Sequence, residues 1–286
     1  MTIKNPIEWS GAQLVNTAHA IGSLGRSLQH VQETIHSPAP AVRKITVSDL
    51  RDALRQGFDD FGAYRTDVIF LGVVYTVVGL ILARLAFGMD LLPLVFPLAS
   101  GFALIGPIAA VGLYEMSRLR EQGVEANFSN AFDVFRAPAA GSVLVLGVAL
   151  VAIFLLWQLA AWLIYAGTLG PAEPASIGAF AHDVFYTAKG WEMIVVGVGV
   201  GFLFAVFAMS ISLVSFPLLL DRDVGLDTAI QTSIRAVRMN PVETGLWGLI
   251  VAAGLVLGSI PLFIGLVVTI PVLGHATWHL YRKLVV

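Results

Sequence analysis

Long apolar stretches alternate along this chain with short segments that hold most of its charge, and the alternation predicts its elements. Four stretches of 18 or more mostly apolar residues, about Val68–Gly88, Leu91–Tyr114, Gly141–Gly167 and Met193–Leu220, are each long enough to cross a bilayer as a helix. A fifth, Thr244–Tyr281, runs for 38 residues without Asp, Glu, Lys or Arg. At 1.5 Å rise per residue it would extend roughly 57 Å, about twice a ~30 Å hydrocarbon layer. It therefore predicts two crossings with a bend at Gly258-Ser-Ile-Pro261, and six spans in all.

The polar segments between the spans have a pattern of their own. Three of them carry apolar residues at spacings of 4, 4 and 3: Leu50, Leu54, Phe58, Phe61; Val124, Phe128, Phe132, Phe135; and Leu226, Ile230, Ile234, Val237. At 100° per residue each set falls within about 80°, one face of a helix lying on the inner membrane surface or on the bundle. Polar residues such as Arg51, Asp52, Arg55 and Asp59 fill the other faces, and Gly72, Gly147 and Gly248 recur at matching places in the following spans. The predicted fold is an all-α membrane protein with six transmembrane helices in three parallel helix–span–span repeats, about 48–116, 123–220 and 225–286, with cytoplasmic interfacial helices. Residues 1–47 form a separate tail. Its stripe of Leu14, Ala18, Ile21, Leu24, Leu28, Val31 and Ile35 predicts an amphipathic helix, broken at Pro38-Ala-Pro40.

Charge fixes the expected orientation. The segments before Val68, between Tyr114 and Gly141, between Leu220 and Leu246, and after Tyr281 hold 15 of the 17 Lys and Arg residues. The positive-inside rule then places both termini in the cytoplasm. Met1 to Gln13 lack an apolar core behind a basic start, so no cleavable signal peptide is expected. With 57% hydrophobic and 13% charged residues the chain is far more apolar than a soluble domain, and a net charge of -2 argues against a nucleic-acid partner. The absence of cysteine excludes disulfides, thiolate metal sites and Cys nucleophiles.

Four strings carry a family resemblance: SGFALIGPIAAVGLYEMSR (Ser100–Arg118), VSFPLLLDRDVG (Val214–Gly225), NPVETGLWG (Asn240–Gly248) and PVLGHATWHLYRK (Pro271–Lys283). From about Asp49 to the end the chain resembles the bacterial integral membrane family called domain of unknown function 2189. The resemblance implies a bacterial inner-membrane protein. Some members carry the label of putative cytochrome c oxidase subunits, and no defined activity comes with the family.

Few residues offer chemistry. His275 and His279, spaced i, i+4, share a helical face from which they could hold a metal or cofactor, although not as the two axial ligands of one haem. The plainer reading makes Trp278, His279 and Tyr281 an interfacial belt beside Arg282 and satisfies His275 from a neighbouring helix. Pro97, Gly101, Gly106 and Pro107 predict a kink or interruption of the second span, where freed backbone groups line a pathway in some transporters. Gly197 and Gly201 offer a small-residue surface for close helix packing. Glu115 and Arg118 are spaced for an ion pair, and the cluster Asp221-Arg222-Asp223 is placed to mark the membrane edge and cap the next helix.

No HExxH, GxSxG, Walker loop or paired intramembrane carboxylates occur, and no ionisable residue falls near a span midplane. The expectation is a non-catalytic protein without metal or cofactor, embedded in the lipid bilayer. It would bind another membrane protein or a second copy of itself, as an accessory, assembly or scaffold factor for a complex such as a respiratory oxidase. The alternative is a channel or facilitator for ions or small solutes.

Overall fold

The computed structural model describes residues 37–63, 92–124, 134, 137–261 and 264–286. The expected N-terminal amphipathic helix, the first span at Val68–Gly88 and all of the second interfacial stripe except Val124 lie outside them. Among the described residues the fold is all helical: α1 (Val47–Ala63), α2 (Val95–Glu121) behind a 3-10 turn at Leu92–Leu94, α3 (Ala140–Thr168), α4 (Ile177–Tyr186), α5 (Ala188–Ser212), α6 (Ser215–Asp221), α7 (Leu226–Met239), α8 (Pro241–Ser259) and α9 (Leu266–Leu284).

Among the described residues four helical stretches are long and apolar enough to cross a membrane: Leu92–Glu121, Ala140–Thr168, Ala188–Asp221 and Pro241–Ser259. They coincide with the second to fifth expected spans. The predicted bend is present, since α8 ends at Ser259 and α9 starts at Leu266. Gly258 and Gly265 close it through backbone contact, where a Cβ on Gly265 would lie 2.8 Å from the Gly258 Cα. The helix expected as the sixth span differs in character. Twelve of the 19 residues of α9 are buried, so it is a core helix with neighbours on most sides.

The helix most extensively packed on α9 is α1. It starts at one half of a capping box, in which Asp49 Oδ2 accepts from the Thr46 backbone N–H at 2.8 Å and from the Thr46 hydroxyl at 2.9 Å. Its buried face is Leu50, Ala53, Gly57 and Asp60. The sequence instead predicts Leu50, Leu54, Phe58 and Phe61, about 80° away around the helix. Size explains the difference. Two backbones approach closely only where side chains are small, and a Cβ on Gly57 would lie 2.6 Å from Ala276 Cβ and 2.7 Å from the Val272 carbonyl oxygen. Phe58 remains 57% exposed.

The same division recurs in α7. Its buried residues are Thr228, Ala229, Thr232, Ser233 and Ala236, while Leu226, Ile230, Ile234 and Val237 are half-buried. In both helices the order around the axis is a small-residue bundle face, an apolar sector, and a polar sector: Arg51, Asp52, Arg55 and Asp59 in α1, and Asp227, Gln231, Arg235 and Arg238 in α7. Whereas α1 seats on α9, α7 seats on α5 and α6. There Ser233 Oγ accepts the Val214 N–H, at 3.2 Å, where the chain breaks between α5 and α6.

A strap at residues 37–46 ties these parts together. Gly225 N–H donates to Ser37 Oγ at 2.7 Å, and the Thr228 hydroxyl donates to the Ser37 carbonyl at 2.9 Å. The Asn240 side chain, buried at the α7–α8 junction, accepts from Ile45 N–H at 2.8 Å and donates to the Arg43 carbonyl at 3.2 Å. Val42 and Val285 then form an antiparallel bridge, flanked by Arg43 N–H to Leu284 O and Val286 N–H to Ala41 O, both at 3.0 Å.

The other candidates sit as follows. Helix α2 continues through Pro107 without interruption. The Pro97 carbonyl accepts from Trp157 Nε1 at 3.0 Å, Gln158 Nε2 at 3.1 Å and the Ser100 hydroxyl at 3.2 Å. Phe154 fills the space beside Gly101, where a Cβ would meet its ring at 2.6 Å, and Gly106 has none of the described residues within 4 Å. Gly201 packs inside the bundle, 2.9 Å from Trp157 by the same measure, while Gly197 has no neighbour within 4 Å.

The close seat of α1 on α9 is testable. Gly57→Leu should lower the stability of the detergent-solubilised protein by at least the ~1–3 kcal/mol typical of overpacking, read as an earlier thermal unfolding midpoint. Gly62→Ala on the same helix, where none of the described residues lies within 4 Å, should cost nothing.

Candidate functional site

A carboxylate on the small-residue face of α1 is carried into the bundle wherever that face goes. Asp60 stands one turn beyond Gly57 and is 3% exposed. The approach permitted at Gly57 brings its short side chain within reach of α9 and α2. His275 and His279 project toward it from α9, and Ser117 and Arg120 from α2.

The contacts are short. His279 Nε2 lies 2.8 Å from Asp60 Oδ2, and the Ser117 hydroxyl donates to the same oxygen at 2.6 Å. Ser117 Oγ is 2.8 Å from His275 Nδ1, and Arg120 pairs with Asp60 Oδ1. An ionised carboxylate only accepts, so Ser117 gives its single hydrogen to Asp60 and its oxygen accepts from His275 Nδ1–H. The resulting series is His279, Asp60, Ser117, His275, and the Leu113 backbone supports the His275 ring at its inner end.

Burial alone would raise the Asp60 pKa above the ordinary carboxylate range, but hydrogen bonds from His279 and Ser117, with the charges of the two histidines, outweigh it and lower it. Asp60 is therefore the fixed anion of the cluster at neutral pH.

Around it a second set of ion pairs crosses between helices. Glu121 of α2 lies 3.7 Å from His279 Nδ1 and 3.2 Å from Arg282 Nε. Arg282 also reaches Asp221 at the end of α6, at 3.1 Å, and Tyr281 donates to Asp221 at 2.6 Å. Lys283 lies 3.6 Å from Asp52 and 3.7 Å from Asp49, both on α1. Glu115 and Arg118 form the expected pair, bidentate at 2.9 and 2.7 Å. Helix α7 has Gly225 at its N-cap and no side-chain cap, so Asp221 serves the cluster and does not cap the following helix.

Several sequence-level expectations change here. Trp278, Tyr281 and His279 are 0%, 1% and 6% exposed, so they pack inside the protein and are not a lipid-facing belt. His275 is satisfied by a neighbouring helix, as the plainer reading requires. The two histidines meet a shared partner, Asp60, which sequence reasoning missed. The available signal was the spacing of Leu50, Ala53, Gly57 and Asp60, a second helical face made inconspicuous by its small residues.

Chemically the cluster is a hydrogen-bond relay. In nucleophilic triads the imidazole stands between hydroxyl and carboxylate. Here the hydroxyl stands between carboxylate and imidazole, and Ser117 is 0% exposed. Its hydrogen is committed to Asp60 and no substrate reaches it. Nor is this donor set arranged for a metal, since Arg120 already holds one oxygen of Asp60. Among the described residues no group of three or more His, Cys, Asp or Glu has the geometry to hold a metal ion. An open cleft of about 260 Å³, lined by Gln56, Asp59, Asp60, Arg120, Glu121 and His279, borders its outer edge.

Removing Asp60 would leave three polar side chains facing a void. Asp60→Ala should cost roughly 3–5 kcal/mol of stability, measured by thermal unfolding in detergent at pH 7. Because the folded pKa is depressed, the contribution of Asp60 is complete above the unfolded value of 3.8 and is lost as pH falls through the folded value. Between pH 5 and pH 2 the native protein should therefore lose more stability than Asp60→Asn does.

No curated protein and no solved structure matches this chain. Of the four strings that carry the family resemblance, Ser100–Arg118 and most of Val214–Gly225 fall within residues 95–221, and it is residues 95–221, from the first residue of α2 to the last of α6, that match the family of predicted integral membrane proteins called domain of unknown function 2189.

Proposed function

We propose that this protein is a non-catalytic scaffold of the bacterial inner membrane: a six-span chain of three parallel helix–span–span units that binds and positions another membrane protein. The observation that carries this reading is the Asp60 cluster. The polar groups that a reaction or a transported ion would use are engaged with one another, and they fasten α1, α2, α6 and α9 together.

The three-unit architecture draws support from the matched sectors of α1 and α7, and from Pro107 and Pro271, each inside its helix and eleven residues before Arg118 and Arg282. It also accounts for the seating of the surface helices. The α7 of the third unit rests on α5 and α6 of the second, and the α1 of the first rests on α9 of the third, which would close a ring. In this arrangement the apolar sectors of α1 and α7 face the inner leaflet, while the basic residues near them keep both termini in the cytoplasm. Packing at Gly101 and the occupied Pro97 carbonyl favour a solid bundle over a channel through the second span.

The orientation can be tested by labelling, because the chain has no native cysteine. Asp59→Cys should react with an impermeant maleimide only after the membrane is opened, and Tyr186→Cys should react in intact cells. The scaffold reading is tested by purification of the full chain in mild detergent. A stoichiometric membrane-protein partner is expected, with a respiratory oxidase the first complex to examine because of the label some family members carry. Recovery of the chain alone, with flux of ions or small neutral solutes after reconstitution in liposomes, would replace a scaffold with a facilitator.

A further inference from the structure

Two cations of α1 stand apart from the ion-pair network. Arg118, Arg120, Arg282 and Lys283 are each matched to a carboxylate. Arg51 and Arg55, both exposed, have no carboxylate within ion-pair distance among the described residues. Asp59 follows Arg55 at the four-residue spacing that would allow such a pair, yet it lines the cleft with Gln56 and Arg120. Asp52 is drawn to Lys283 of α9, at 3.6 Å. Two like charges one helical turn apart are thus left side by side without an anion.

Their place around the helix says which anion they fit. At 100° per residue Arg51 and Arg55 stand about 20° and 60° beyond Phe58, the outer edge of the apolar sector, and Asp59 and Asp52 about 100° and 120° beyond it. With Leu54, Phe58 and Phe61 turned to the inner leaflet, the arginines fall at the boundary between hydrocarbon and water, and the acids fall beyond it. Helix α7 repeats the order, with the exposed Arg238 about 40° beyond Ile234.

At that depth the negative groups of a bilayer are lipid phosphates, and a guanidinium presents paired N–H groups that match phosphate oxygens. We propose that Arg51 and Arg55 bind the headgroup phosphate of an anionic phospholipid whose acyl chains pack along Leu54, Phe58 and Phe61. A zwitterionic lipid carries the same phosphate beside its own ammonium group, so it offers the arginine pair less net attraction. The assignment rests on the placement of α1 at the inner leaflet under the scaffold reading.

Because the chain has no native cysteine, a fluorophore can be attached at one chosen place. Gly62 is exposed and lies between the two arginines in angle, two turns after Arg55. Full-length Gly62→Cys carrying the fluorophore is reconstituted into phosphatidylcholine vesicles, with spin-labelled phosphatidylglycerol or spin-labelled phosphatidylcholine as the quencher. Phosphatidylglycerol should associate more tightly, by about fivefold for each arginine it engages. Arg51→Gln combined with Arg55→Gln should bring the two lipids level and leave quenching by phosphatidylcholine unchanged, the sign that α1 is still seated. The same fluorophore at Tyr186→Cys, on α4, should not distinguish the lipids. Equal quenching of Gly62→Cys by both lipids overturns the headgroup site while keeping α1 on the membrane. Quenching by neither overturns that placement as well, since protein or water would then cover this face. A preference that survives loss of both arginines overturns the proposal by putting the anion elsewhere, and its suppression by soluble glycerol phosphate would replace the lipid with a small phosphate ligand. The vesicles hold no other protein, so none of these outcomes depends on whether a scaffold partner exists.

Discussion

A carboxylate buried on the packed face of a surface helix is the constraint around which the described part of this protein is arranged. Asp60 costs several kcal/mol to bury unless its oxygens are filled, and an incomplete set of partners would be worse than none. Its short side chain cannot reach across an ordinary interhelical gap. The missing side chain at Gly57 permits a closer approach, one turn before Asp60 and against Ala276, which lies between the two histidines. Backbone proximity and charge satisfaction are therefore a single requirement. Changing either one disturbs the helix pair that contains the largest interface among the described elements.

The spans were the most legible part of the chain because membrane insertion depends on length and apolarity, which are additive along the sequence. The bend near Pro261 followed from the same arithmetic. The face of α1 was not legible in that way. Large residues such as Phe58 dominate any apolar pattern, whereas tight packing selects small ones, so the informative positions were Ala53 and Gly57. A similar inversion affected α9. Its uncharged sequence reads as a lipid-facing span, yet it is buried because α1 and α2 cover it. The i, i+4 spacing of His275 and His279 correctly brought two imidazoles to one place, but their shared partner lay more than 200 residues away and no local signal pointed to it.

On the three-unit reading, α1 and α7 occupy equivalent places with different chemistry. Aligning Leu50 with Leu226 sets Gly57 beside Ser233 and Asp60 beside Ala236. The third unit uses a serine hydroxyl to satisfy the Val214 N–H at the break between α5 and α6, while the first uses a glycine and an aspartate to seat on the last helix. An ancestral packing surface would thus have been kept in one copy and charged in the other. On the same reading, the charged copy is the one that would close the ring. That closure joins units distant in sequence and has no short connecting loop to hold it.

Separation along the chain has a consequence for how the protein is made. Asp60 and His279 are 219 residues apart, and α1 leaves the ribosome long before α9 is synthesised. At roughly 5–20 residues per second the interval is on the order of tens of seconds, during which the Asp60 face of α1 has no native partner. The strap at residues 37–46 waits as well, because its bridge uses Val285, just beyond α9. A prematurely terminated chain would keep most of its membrane-crossing helices and still present α1 and the strap unpaired at the surface. The Asp60 cluster thus makes the arrival of α9 legible at the surface of α1, and a protease acting on that surface could distinguish copies that have docked it from copies that have not.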